Sequence, residues 1–270
     1  MTTILTIAGS DSCGGAGIQA DIKTIHRLGA HALCAVTAVT AQNSQGVEAI
    51  YPIPAPFISK QVEAVVSDSP PKAVKIGMLQ TQEAIRAVVR VIERYDLPNV
   101  VLDPVVCAST GNRLLEPGAL DCLRDDLIPR VRVITPNLLE ASMLSGSSVE
   151  TVEEAESVAR RLRALGPDVI VTGGHLKGLC TDVLCDETGS HRYSGQRIDT
   201  SFTHGTGCVF SSAVATGLGM GMELSRAVEQ ARSLVREALR RGYACGSGKG
   251  PVDPLGRGRG LEEQGSSGRR

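Results

Sequence analysis

Short apolar runs, halted by proline, glycine or a polar turn and separated by segments of helical periodicity, constrain this chain more than any other feature. They fall at residues 3–8, 33–39, 73–76, 99–103, 131–135 and 168–172. Most are continuous rather than alternating, which is the pattern of strands buried on both faces. Helical spacing occupies the intervals: about 18–28, 57–66, 82–95, 117–127 and 152–165, with a last helix over 222–241. In the helix at 82–95, Ile85, Val88, Val89, Ile92 and Tyr95 recur on one face. Strands alternating with helices predict an α/β fold, a mostly parallel central sheet covered by helices on both faces. Segments 181–185 and 191–194, around the polar turn Asp186–Ser190, predict a hairpin. With no repeat and no linker, residues 1–245 read as one domain. Residues 246–270 read as a Gly/Ser/Arg-rich tail, disordered from about Leu255.

The composition bears on the core and on partners. Hydrophobic residues make up 42% and aromatics 3%, with no Trp, so the core must be aliphatic. A net charge of −1 argues against a nucleic-acid or anionic-membrane surface as the principal partner. No apolar run approaches the ~20 residues of a membrane span, and the N-terminus lacks a basic segment before its apolar residues, so a cytoplasmic location is expected. The eight cysteines are scattered with no CxxC pair, which excludes a thiolate metal site by spacing.

In parallel sheets, ligands bind beyond the C-terminal ends of the strands. That edge collects Gly9–Gly17, Gln42, Met78, Asp103, Asn137 with Glu140, Gly173-Gly174 and the loop Thr203-His204-Gly205-Thr206-Gly207-Cys208. The last loop runs into the small-residue helix that begins Val209-Phe210-Ser211-Ser212. Glycines there allow successive amides to converge, and a helix N-terminus adds its unpaired N–H groups, so the segment reads either as an anion site or as an ordinary glycine turn. Cys208 in the first turn sits where the field of the helix favours a thiolate. Asp21 falls within the apolar stripe formed by Ile18, Ile22, Ile25 and Leu28, and a carboxylate there requires a partner. Asp103 ends a strand stopped by Pro104, whereas Asn137 and Glu140 have the spacing of a capping box.

Taken together, Ile7 through Asp21, Ala41-Gln42-Asn43, Ile76-Gly77-Met78-Leu79, Leu102-Asp103-Pro104-Val105, Thr135-Pro136-Asn137 with Glu140, and His204-Gly205-Thr206-Gly207-Cys208 resemble the hydroxymethylpyrimidine/phosphomethylpyrimidine kinases. These form the thiamine-pathway branch of the ribokinase superfamily, and the resemblance runs from residue 1 to about 245. It implies a ribokinase-like fold, a homodimer, and phosphorylation of 4-amino-5-hydroxymethyl-2-methylpyrimidine and then of its monophosphate by ATP with Mg²⁺. It further implies that Gly9, Asp21, Gln42 and Met78 line the pyrimidine pocket, and that Gly173, Gly174 and Thr203 belong to the ATP side. By the same resemblance Asp103 and Glu140 act around Mg²⁺, and Gly205, Thr206, Gly207 and Cys208 cradle the phosphoryl group. Cys208 occupies the position at which sugar kinases of the superfamily carry Asp. Two roles are open to it: proton acceptor as a thiolate, or contributor of a backbone N–H.

Two positions depart from the pattern. Members often carry Lys where this chain has Thr172, and Ala-Lys-Ser-Gly where it has Ala108-Ser109-Thr110-Gly111. Each change removes a positive charge near phosphates, which bears on the second phosphorylation, and Lys177 is a candidate replacement. A pyridoxal/pyridoxine kinase of the same superfamily is the alternative enzyme. A pyrimidine sensor without turnover is the alternative of another class, although a pure binder has no use for Asp103, Glu140 and the 203–208 loop.

Overall fold

The computed structural model describes residues 1–176 and 178–256. The strands are β1 (Thr3–Asp11), β2 (His31–Asn43), β3 (Gly46–Pro52), β4 (Ala73–Ile76), β5 (Val100–Leu102), β6 (Val133–Ile134), β7 (Asp168–Val171), β8 (Cys180–Asp186) and β9 (Gly189–Gly195). They form one sheet in the order β3-β2-β1-β4-β5-β6-β7-β8-β9. From β2 through β7 neighbouring strands are parallel, while β3 at one edge and β8 and β9 at the other are antiparallel. The predicted mostly parallel sheet is therefore present. The chain moves outward from β1 to β2 and then resumes on the opposite side of β1 with β4. Strand order thus reverses at β1, which opens a crevice beyond the ends of β1 and β4.

The helices are α1 (Gly17–Arg27), α2 (Ala55–Asp68), α3 (Gln82–Tyr95), α4 (Ala119–Cys122), α5 (Leu138–Ser145), α6 (Val152–Arg163), α7 (Thr206–Gly219) and α8 (Leu224–Arg241). Two aliphatic cores lie on opposite faces of the sheet, divided by the period-2 alternation of strand side chains. Leu5, Ile7, Val74, Ile76 and Leu102 point to the face covered by α2, α3, α5 and α6. Ile4, Val101, Val133 and Ile170 point to the face covered by α1, α7 and α8. The face of α3 read from periodicity, Ile85, Val88, Val89 and Ile92, is buried as predicted, each residue contributing roughly 1.5–3 kcal/mol by leaving water. The predicted Asn137–Glu140 capping box forms on α5, and a second, Thr151 with Glu154, caps α6.

Three local expectations are revised. Residues 40–52, which hold none of the predicted strands or helices, extend β2 to Asn43 and form β3. No residue of β3 is fully buried, so the strand lacks the apolar run that marks the others. The helix expected over 117–127 is confined to α4, followed by a π turn at Leu123–Leu127 and a 3-10 turn at Ile128–Arg130. Packed residues also occur past residue 245. Gly250, Pro251, Val252, Asp253 and Pro254 are buried, and Pro251 and Val252 pack on the 203–208 loop through amide pairings of His204 with Gly250 and Val252. The remainder of the expected tail, 257–270, lies outside the described residues, as does Lys177.

Candidate active site

β1 ends at Asp11, and the turn after it is built around that carboxylate. Asp11 accepts hydrogen bonds from the amides of Cys13 (2.8 Å), Gly15 (3.0 Å) and Ala16 (2.8 Å), and its Oδ2 lies 2.8 Å from Nε2 of His204. Burial raises the Asp11 pKa, but His204 and the amides of Ala16 and Cys13 outweigh it and hold the carboxyl below its ordinary value. His204 is itself buried, and its Nδ1 is 3.2 Å from Oγ of Ser109. One imidazole therefore joins the glycine turn after β1, the loop after β5 and the loop before α7. The side-chain amide of Gln42 approaches the same ring at 3.4 Å. The sequence signal for this pair is weak: Asp11 and His204 stand out only as members of their glycine-rich segments.

The 203–208 loop turns at Gly205, whose φ of 85° is in the left-handed region and which serves as the N-cap of α7. A Cβ there would overlap the carbonyl of Gly15, so only glycine fits. The amide of Thr206 and its hydroxyl both donate to Thr203 O. The amides of Gly207 and Cys208 have no backbone acceptor among the described residues, which leaves the first turn of α7 with donors for an anion. A Cβ on Gly207 would stand 3.6 Å from Oδ2 of Asp103. The strand-end carboxylate therefore lies directly beside this turn.

Asp103 is buried and accepts a hydrogen bond from Ser211 Oγ at 3.2 Å. Burial raises its pKa; Lys75 opposes the rise and the charge of Asp21 adds to it, leaving the carboxyl above its ordinary value. Glu140 is pushed up to about 8, first by burial and next by the charge of Asp103, against the hydrogen bonds it accepts from Asn137 and Val106. Two buried carboxyls that resist ionising together form a site that a divalent cation would relieve. No cluster of three or more His, Cys, Asp or Glu side chains with metal-site geometry occurs among the described residues. A pair of carboxylates fits Mg²⁺, which takes one or two protein ligands and completes its shell with water and phosphate oxygens.

Cys208 departs from the expectation of a thiolate. Burial is the largest influence and pushes its thiol up to about 12, with Asp21 and Asp103 adding and Lys75 and the Gly17 amide opposing. The positive end of α7 does not overcome two nearby acids and a partly dry setting.

Asp21 also departs from its expected role. Its Oδ1 lies 2.9 Å from Lys75 Nζ and 2.8 Å from Ser212 Oγ; its Oδ2 lies 2.6 Å from Thr6 Oγ1 and 3.0 Å from Lys75 Nζ. Both oxygens are occupied by the protein, and the side chain does not line the cavity. The partner that Asp21 requires is Lys75, the fully buried lysine of β4, which in the sequence is one more member of an apolar run. Gly173 likewise stands behind the wall, with its amide donating to Asp182 (2.8 Å) and a Cβ there overlapping the carbonyl of Thr181.

The other residues expected at the site line a single cavity of about 960 Å³: Gly9, Gln42, Met78, Asp103, Glu140, Gly174, Thr203, Gly205, Thr206, Gly207 and Cys208. Met78, Leu114, Val105 and Ala108 make an apolar wall near Gln42. Gly9 lies against that wall, since a Cβ on it would meet Met78 Sδ at 3.1 Å. At the far side, Arg197 donates to the carbonyls of Gly174 and Leu176, and Arg232 pairs with Asp182 at 2.7 Å. The cavity thus has an apolar wall, the Gln42 amide, a turn with free N–H donors beside Asp103, and an arginine-rich end.

A family model described as phosphomethylpyrimidine kinase matches residues 11–253. The hydroxymethylpyrimidine/phosphomethylpyrimidine kinase of Streptomyces coelicolor is 43% identical over 251 residues, 93% of each chain. A thiamine biosynthesis bifunctional protein of Geobacter sulfurreducens is also 43% identical over 94% of this chain, which spans only 52% of that relative. Among solved structures, the ADP complex of Bacillus subtilis pyridoxal kinase has a TM-score of 0.87 at 37% identity, with 93% of this chain and 97% of that one covered. A phosphomethylpyrimidine kinase from Clostridium difficile has a TM-score of 0.79 at 39% identity, with 88% and 99% covered.

Proposed function

This chain belongs to the phosphomethylpyrimidine kinase family, and from that premise we propose that it phosphorylates 4-amino-5-hydroxymethyl-2-methylpyrimidine and then its monophosphate, with ATP as donor. The observation that supports the reading is the shared cavity, which Gln42 and Met78 line together with Gly207, Cys208 and Asp103. Gln42 offers both a donor and an acceptor to an aminopyrimidine edge, and Met78 offers a polarisable face. Phosphoryl transfer depends on positioning and charge neutralisation more than on covalent help from the protein.

In this reading the Gly205–Cys208 turn holds the phosphoryl group through backbone N–H donors. The Cys208 thiol, which burial and the neighbouring acids hold toward its protonated form, contributes through its backbone and its bulk rather than as a base. Asp103 and, through water, Glu140 would hold Mg²⁺, which when bound supplies charge neutralisation at the phosphates. Gly174 and Thr203 lie toward the nucleotide, with Arg197 fixing the loop that carries Gly174. We extend the reading to a cytoplasmic homodimer, on the strength of the family resemblance and of eight free cysteines.

The test is a product analysis with the alcohol and the monophosphate supplied separately with ATP and Mg²⁺. Formation of monophosphate from the first and diphosphate from the second supports the reading; no ADP release with either ends it. A second reading, pyridoxal kinase, is favoured by the likeness to the Bacillus subtilis enzyme. Parallel kinetics on pyridoxal decide between the two: a kcat/KM for pyridoxal above that for the pyrimidine would reverse the order.

A further inference from the structure

A phosphate monoester brings close to two negative charges to the acceptor side of the cavity. Asp103 and Glu140 already stand nearby, so accepting that substrate requires a cation. Among the described residues, the Lys and Arg side chains that line the cavity are Lys75, Arg197, Arg232, Arg236 and Lys249. Lys75 is fully buried and held by Asp21. Arg232 is paired with Asp182, Arg197 with the carbonyls of Gly174 and Leu176, and Arg236 with that of Gln196, all at the end where Gly174 lies.

Lys249 differs from these in origin and in place. It comes from the segment after α8, which crosses back over the substrate side. Its amide donates to Ser44 O at 3.0 Å, and Gly248 N donates to Ser44 Oγ at 3.0 Å, which anchors the segment to the β2–β3 turn. Gly250 and Val252 fasten its other end to His204. Between these anchors the Lys249 side chain reaches the loop after β5, and its Nζ lies 2.7 Å from Ser109 O. No carboxylate lies within ion-pair distance of it among the described residues. Ser109 in turn contacts His204, which stands beside Gln42. The ammonium therefore sits on the rim of the cavity beside Ser109 and His204, on the side of Gln42. An ammonium has three donors, so a carbonyl bond leaves it able to take phosphate oxygens.

We propose that Lys249 binds the phosphate of the phosphorylated pyrimidine and so sets the enzyme's preference between the alcohol and its monophosphate. This rests on the functional reading above. The side chain is exposed and its backbone bonds do not depend on its identity, so substitutions here leave the fold standing.

The experiment compares the wild-type full chain, Lys249→Met and Lys249→Arg in steady-state ADP release with each pyrimidine. Loss of one charge-assisted contact lowers the ratio of kcat/KM, monophosphate over alcohol, about 10- to 100-fold in Lys249→Met. Lys249→Arg, which keeps the charge, recovers most of that ratio. An unchanged ratio in Lys249→Met, or equal losses on both substrates, overturns the inference alone. A wild-type enzyme that acts on neither pyrimidine overturns the functional reading and this inference with it.

Discussion

Lys75 Nζ and Asp21 Oδ1 lie 2.9 Å apart with neither side chain exposed to solvent. Thr6 and Ser212 complete the carboxylate, so this pair locks β4, α1, β1 and α7 together beneath the site. Removing one member strands a charge in a dry setting, a loss of about 3–5 kcal/mol. Lys75→Met and Asp21→Leu are each expected to lose that much stability in urea denaturation. The double substitution is expected to recover part of it, because no lone charge then remains. A single substitution costing under about 1 kcal/mol would contradict the burial of the pair.

The Gly205 turn admits no side chain, whereas a Cβ added to Gly174 would meet nothing within 4 Å. Gly205→Ala must open the turn away from Gly15 and misplace its donors, and losing one preorganised donor costs about 10²–10³ in kcat. A fall of at least about 100-fold is expected for Gly205→Ala, with Gly174→Ala within about threefold of wild type. Initial rates at saturating ATP and pyrimidine check both, and comparable losses in the two variants would argue against the turn's special role.

Cys208→Ala is expected to keep kcat within about tenfold, because the amide remains and a thiol pushed up to about 12 holds its proton at neutral pH. Alkylation of Cys208 by iodoacetamide, followed by peptide mass spectrometry, is expected to stay slow at about pH 7.5 and to accelerate only at strongly alkaline pH. A drop in kcat of about a thousandfold for the alanine variant would instead mark the sulfur as the proton acceptor.

Asp11 contributes stability through its charge. Its folded pKa is depressed below the ordinary 3.8, so the contribution is complete above that value and is lost as pH falls through the lower, folded one. The stability gap between wild type and Asp11→Asn is therefore expected to narrow as pH falls below about 3.8. Denaturation midpoints at several pH values would show it; a gap that widens in acid would mean the carboxylate is not the stabilising form.

The parallel sheet was legible because buried strands impose apolar runs on residues 3–8, 73–76 and 168–172, and helices impose their period between them. β3 was not, since an edge strand with no buried face leaves no periodic trace. Much of the cavity wall was legible for a related reason: glycines and acids at strand ends stand out against an apolar background. Asp21 is recognisable as a buried charge in need of a partner, but the partner lies 54 residues away inside an apolar run. Pairing across that distance is a property of strand order, to which local pattern is blind. The docking of residues 248–254 is hidden for a different reason. It relies on backbone hydrogen bonds and on two isolated buried side chains, Pro251 and Val252, rather than on a periodic apolar stripe, so its composition alone resembles a tail.

The strap formed by residues 248–254 has a temporal meaning. The sheet and the helices α1 to α8 are encoded before residue 242, yet the loop carrying His204 is braced by Gly250 and Val252. A ribosome that has delivered these strands and helices has still not delivered the brace. The brace is thus made after the elements that it braces, and a truncation after α8 is expected to leave the 203–208 loop without its pairings to Gly250 and Val252.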